Sequence, residues 1–231
     1  MKTISLLNLL YMLIPLLIVW YFYKRWIKNQ VEIIYATIRM LSQLLLIGYV
    51  LIYIFKEKDL LLGAFIIIFM ITLSTWISFR NIQNKSIYEY FQIFTAISIS
   101  GIIHLIIMLY FVLELENIYE PQFVIPIAGM IFANTMNGLS LAIERFESEI
   151  LKTNDFNHAR QISFKTAMIP QINSFLAVGL VSLPGMMTGQ ILSGIDPLIA
   201  VRYQIMIMLS MLSGTGISII VYFLLKNKSI H

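Results

Sequence analysis

The chain has 231 residues, of which 59% are hydrophobic and 12% charged, about half the roughly 25% charged share of soluble domains. A soluble globule of this length cannot hide that much apolar surface, because surface-to-volume scaling limits its buried fraction, so the sequence reads as an integral membrane protein. A net charge of +4, thinly spread, excludes a nucleic-acid binder, which needs a concentrated basic face. The absence of cysteine excludes disulfides, thiolate metal sites and cysteine nucleophiles.

A helix needs roughly 20 apolar residues to cross the hydrocarbon core. Seven segments qualify: Thr3–Tyr23, Val31–Phe55, Leu60–Phe79, Tyr90–Leu113, Phe123–Ile143, Ala167–Leu192 and Leu198–Leu225. Backbone groups in lipid must be satisfied within the segment, so spans this long are helices. The expected fold is an all-α, multi-pass bundle of about seven transmembrane helices, one domain over residues 1–231. The first segment lacks a small-x-small cleavage site and reads as a span, not a signal peptide.

In the second span, Arg39 is expensive: an arginine at the bilayer centre costs about 2.5–3.5 kcal/mol on insertion scales. Glu32, Ala36, Arg39 and Gln43 share one narrow helical face. This stripe reads either as an amphipathic surface with Arg39 snorkelling to lipid phosphates or as a polar lining of a transport path. In the fourth span His104 has no acidic neighbour on its helix and reads as a hydrogen-bonded structural group. The fifth span places Gly129, Ala133 and Asn137 at four-residue intervals, with Asn134 beside them. Small residues at that spacing favour close helix packing or a subunit interface, and Asn134 and Asn137 are candidates for a pore lining.

The connection 144–166 is the longest and reads as a docking element. Its first part extends the fifth span, with Phe146, Ile150 and Leu151 taken as one face, and Asp155 is placed to cap a second short helix. The sixth span contains Pro184, Gly185, Met186, Met187, Gly189 and Gln190. Pro184 removes an amide donor and clashes with the preceding turn, and such breaks persist at membrane depth only where protein or a wet cavity satisfies the freed groups. A hinge or substrate-lining break is the favoured reading. Met186 and Met187 are soft thioether donors, although in a chain with 13 methionines apolar filler is the better account.

Lysine and arginine collect on one side of these spans. Eleven of them (Lys24, Arg25, Lys28, Arg80, Lys85, Arg145, Lys152, Arg160, Lys165, Lys226 and Lys228) fall in one set of alternate loops, against Lys2, Lys56 and Lys58 in the other. The positive-inside rule then puts the N-terminus outside, the C-terminus in the cytoplasm and the 144–166 loop in the cytoplasm. No glycine is followed by lysine, so no phosphate-binding loop is present, and neither G-x-S-x-G nor H-E-x-x-H occurs. The chain is therefore not expected to be an enzyme, to bind ATP through such a loop or to carry a cofactor of its own.

Ala36-Thr37-Ile38-Arg39 with the run Gln43–Leu51, Pro126–Ile131 leading into Asn134 and Asn137, and above all Pro170, Asn173-Ser174 and Val178–Leu192 resemble the FetB-like iron-export permease family of ABC transporters. The resemblance covers most of the chain from about residue 31; it departs in the cytoplasmic loop, which is shorter here and carries Phe156-Asn157-His158-Ala159-Arg160. It implies a permease in the plasma (inner) membrane that exports iron or a related metal and supports resistance to oxidative stress. A separate ABC-type ATPase would bind the ATP and press on the loop through Phe156, His158 and Arg160. Seven helices are few to embrace two ATPases, which points to a permease homodimer within membrane lipid. Two other classes stay open: a non-transporting sensor or scaffold that recruits a cytoplasmic partner, and an ion-coupled secondary carrier. The carrier would favour an acidic residue inside a span, whereas Glu32, Glu89 and Glu114 lie at ends.

Overall fold

The structure is a computed structural model that describes residues 5–28, 31–56, 59–80, 82, 85–117 and 119–228. Among them all regular structure is helical: α1 (Leu6–Leu9), α2 (Leu13–Ile27), α3 (Glu32–Ile54), α4 (Leu60–Phe79), α5 (Ile87–Ile106), α6 (Pro121–Thr153), α7 (Phe156–Ala177), α8 (Gly185–Leu192) and α9 (Pro197–Lys228). Six helical runs are long and apolar enough to span a membrane: Leu7–Ile27, Glu32–Ile54, Leu60–Phe79, Ile87–Val112, Pro121–Thr153 and Pro197–Asn227. Thr3, where the first expected span begins, and Lys2 and Lys58 of the charge count lie outside the described residues.

The chain separates into two compact units, Met1–Glu57 and Lys58–His231. In the first, a 3-10 turn Leu10–Met12 joins α1 to α2, and Lys28, in the left-handed conformation at φ 59°, ends α2. The Tyr23 hydroxyl donates to Glu32 Oε2 at 2.6 Å, tying α2 to the start of α3.

In the second unit α6 is the hub, packed against α4, α5, α7 and α9, while α5 also packs on α4 and α9. The buried residues of α5 (Ile93, Ala96, Ile97, Ser100, Gly101, His104) recur every three or four positions, the stripe of a helix with one packed face. In lipid, helices associate through close approach and interhelical hydrogen bonds, and both are present. A Cβ on Gly101 would meet Phe132 Cε1 at 2.1 Å, and one on Gly138 would meet Thr215 Cγ2 at 2.2 Å. Ser100 Oγ donates to the Gly214 carbonyl at 2.6 Å, and Ser78 Oγ to the Met136 carbonyl at 3.3 Å. Buried His104 donates from Nδ1 to the Ser100 carbonyl at 2.7 Å and lies 2.8 Å from Ser213 Oγ through Nε2, matching its reading as a structural group.

Beyond Ile106, α5 widens into a π-helical segment, Ile107–Val112, in which Leu113 N–H reaches the Met108 carbonyl five residues back at 2.9 Å. The following loop buries Tyr119 against Gly63, where a Cβ would come within 2.4 Å of the ring. Burial and then the Asp59 carboxylate hold the Tyr119 phenol above its ordinary range.

The docking element is shorter than its sequence suggests. Helix α6 runs unbroken to Thr153, Asn154 turns the chain at φ 51°, and Asp155 caps α7 by accepting from Asn157 N–H at 2.9 Å and His158 N–H at 3.1 Å. In place of two short helices there is a two-residue elbow between two long ones. Phe146 is buried, but Leu151 is 77% exposed: five residues along a helix place it about 140° round from Phe146, so the two do not share a face. Glu149 takes the buried place, held by Arg145 and Lys152 at 3.1 Å each.

The expected continuous sixth span, Ala167–Leu192, is the clearest departure. Helix α7 enters from the elbow and stops at Ala177; Gly179 adopts φ 83°, a left-handed conformation glycine takes without steric cost. A tight turn follows, with Val181 N–H on the Ala177 carbonyl at 2.8 Å and Gly179 N–H on the Ser182 carbonyl at 3.0 Å. The residue before a proline avoids the α region, and a helix resumes only at Gly185, with Pro184 as its N-cap. Two helices joined by a turn therefore replace the one expected, and among the described residues six helical runs, not seven, are long and apolar enough to span a membrane.

Candidate functional site

The break creates a cavity. About 410 Å³ of space lies between α6, α7, the 178–184 turn, α8 and α9. Its polar wall is carboxamide and hydroxyl: Asn134 from α6, Gln171 and Ser174 from α7, Ser182 from the turn and Gln204 from α9. The rest of the wall is shared between the methionines Met130, Met186, Met208 and Met211 and the residues Pro170, Pro184, Gly185 and Ile207. Among the described residues no charged side chain lines it.

Each side chain is there for a local reason. Pro170 sits within α7, one residue before Gln171, and Gln171 Nε2 donates to Asn134 Oδ1 at 2.9 Å, joining α7 to α6. Met208 and Met211 lie four and seven residues beyond Gln204, so helical geometry stacks all three on one side of α9. Gln204 is 6% exposed, and its Oε1 is buried with no hydrogen-bond partner within the protein. An unsatisfied buried carbonyl costs about 1–3 kcal/mol, so Gln204, which lines this cavity, carries an acceptor whose desolvation no described residue offsets.

Four of the residues singled out in the sequence meet here: Asn134, Pro184, Gly185 and Met186. Met187 faces the other way, into an apolar cavity of about 310 Å³ with Phe175, Leu183 and Ile205. Gly189 and Gln190 belong to α8 but line neither space, and Gln190 Oε1 is buried without a partner. Asn137 is exposed on α6, as is Ala133. The four-residue stripe beginning at Gly129 is thus not the close-packed face within the chain; that role falls to Gly101 and Gly138. Arg39, partly buried, and Gln43, exposed, lie on α3 in the other unit.

Gln171, Gln204, Met130, Met208 and Met211 were not singled out as site residues. For Gln204 the signal was present, an amide inside an apolar span. For the methionines there was none, because thioether and filler are the same residue until the neighbours are known.

At the elbow, His158 and Arg160 line an open groove of about 820 Å³ with Gln161, Lys165 and Phe223. Phe156 turns inward instead and stacks edge-on against Phe146, ring centroids 5.3 Å apart, and against Phe223 at 6.4 Å. Beside this cluster Lys226 Nζ donates to Glu89 Oε1 at 2.6 Å and to Tyr222 Oη at 3.0 Å, and the Tyr222 hydroxyl donates to the same carboxylate. The elbow is thereby tied through α9 to the start of α5.

Two matches, over residues 4–159 and 153–231, place the chain on the family described as "Uncharacterised protein family (UPF0014)". The "Probable iron export permease protein FetB" of Escherichia coli is 31% identical over 86% of this chain and 81% of its own length. A Bacillus subtilis UPF0014 membrane protein is 32% identical over 86% of this chain and 84% of its own. One from Synechocystis is 31% identical over 82% and 79% respectively. No solved structure matches. With both stretches matched and six helical runs able to span a membrane, the chain is a multi-pass membrane protein of the UPF0014 family.

Proposed function

We propose that the protein is the permease subunit of an ATP-binding cassette transporter that exports iron or a related metal, as a homodimer driven by a separate ATPase. The observation that supports this most is the uncharged polar cavity at the broken helix. Irregular backbone at membrane depth is tolerated where it lines a cavity, and in transporters such breaks bear the substrate site. The name carried by the Escherichia coli relative supports the permease reading and the choice of metal.

In this mechanism the elbow faces the cytoplasm and meets the ATPase through His158 and Arg160. Phe156, packed between Phe146 and Phe223, makes the elbow move as one body with α6, α7 and α9. Closure of the ATPases would rock α7 against α6, and the 178–184 turn would let α8 follow with its own orientation. Arg39 and Gln43 on α3 stay candidates for a second stretch of the path. The Gly129–Ala133–Asn137 stripe of α6, exposed at Ala133 and Asn137, offers close approach for a second copy.

The test is expression with and without a cognate ATPase in metal-loaded cells, with cell-associated iron measured. Iron should fall only when both subunits are present, and Arg160→Glu should abolish ATPase co-purification while leaving the permease folded. Uphill transport by the isolated chain in liposomes, without nucleotide, would refute the proposal.

A further inference from the structure

The cavity at the helix break is richer in sulfur than packing requires. Thirteen methionines in 231 residues would place fewer than one among its thirteen lining positions by chance, yet four stand there. They come from three helices (Met130 on α6, Met186 on α8, Met208 and Met211 on α9), and all four are only partly buried. Filler methionines occupy gaps between apolar groups; Met130, Met186 and Met211 do pack on the apolar core, but all four also share a cavity with three carboxamides and two hydroxyls.

We propose that these four thioethers, with the carboxamide of Gln204, form the cargo site and that it takes a soft, singly charged metal cation of the Cu(I) or Ag(I) class. The inference rests on the permease reading but replaces iron, as its cargo, with a softer related metal. Three observations carry it. Thioether sulfur selects soft cations, while hard ones prefer carboxylate, carbonyl and water. Among the described residues no carboxylate or imidazole lines the cavity, so a dication would surrender its hydration to neutral donors alone, and desolvation rises steeply with charge. Gln204 Oε1, buried and unpartnered, supplies one oxygen donor to complete a sulfur-dominated shell. Neutral donors also suit a cargo that must leave again, since no anion holds it.

The experiment uses Ag(I), which brings no redox chemistry, on the full-length chain purified in detergent, with bound metal measured after equilibrium dialysis. Wild type should retain Ag(I) in preference to Fe(II). M186L/M208L/M211L, which nearly conserves volume, should lower Ag(I) affinity by about 10–100-fold, the range seen when metal-site shells are disturbed. Met40→Leu, exposed on α3, should change nothing. If the triple variant does not elute as a folded species, M186L and M211L singly serve, each with a smaller loss in the same direction. Ag(I) binding unaltered in the folded variants, or Fe(II) held more tightly than Ag(I), overturns the site. Silver and iron contents of cells expressing the chain with its ATPase separate the two readings. Export that persists while the binding prediction fails removes only this inference, and binding as expected without any export removes the permease reading.

Discussion

The seam between α6 and α9 beside the cavity rests on one missing carbon. A Cβ on Gly138 would lie 2.2 Å from Thr215 Cγ2, 3.4 Å from Thr215 Cβ and 3.5 Å from its Oγ1. Thr215 is fully buried, and a β-branched side chain in a helix has few alternative rotamers, so it cannot swing away. Gly138→Ala should therefore force the helices apart and cost about 1–3 kcal/mol, the range for overpacked cores. Thr215→Ser removes the obstructing methyl and, alone, should cost about 1 kcal/mol for the lost contact. In the double variant the nearest remaining atom is at ordinary contact distance, so G138A/T215S should be more stable than G138A. The two substitutions then couple favourably, by about 1–2 kcal/mol in a double-mutant cycle. Thermal unfolding in detergent, followed by loss of the monodisperse chromatographic peak, gives the ranking. If the double variant is no more stable than G138A, or less, the α6–α9 contact at Gly138 is wrong.

Asp155→Ala removes the cap that accepts two amides at the start of α7 and should cost about 1 kcal/mol, read as faster amide hydrogen exchange confined to Asn157 and His158 and the turn after them. Glu89→Gln leaves Lys226 beside a neutral amide in a pocket where the two side chains are only 17% and 13% exposed; hydrogen bonds to charged groups contribute about 1.5–3 kcal/mol, and the unfolding midpoint should fall accordingly. Pro184→Ala restores an amide donor at the break, so the folded protein should persist while metal export with the ATPase falls; unchanged export would refute a moving part at this turn.

The membrane class, the placement of most helices, the extension of the fifth span and the Asp155 cap follow from local rules. They depend on the length of apolar runs and on which side chain can reach the first amides of a helix, and each is settled within a few residues. The Pro184 break was visible for the same reason, although its true start at Gly179 was not: a glycine within an apolar run gives no sign of its φ. Leu151 does not share a face with Phe146 because it sits about 140° round the helix from it, and the closest approaches within the second unit fall to Gly63, Gly101 and Gly138 because identical small residues are distinguished only by what faces them. Tertiary structure alone decided that Gly101 and Gly138 meet Phe132 and Thr215, that Met186 faces amides while Met187 faces Phe175, and that Gln171 and Gln204 reach one space from different helices. Gly101 and Phe132 are 31 positions apart and Gly138 and Thr215 are 77 apart, and chain-distant contact is set by how helices dock, which no local pattern encodes.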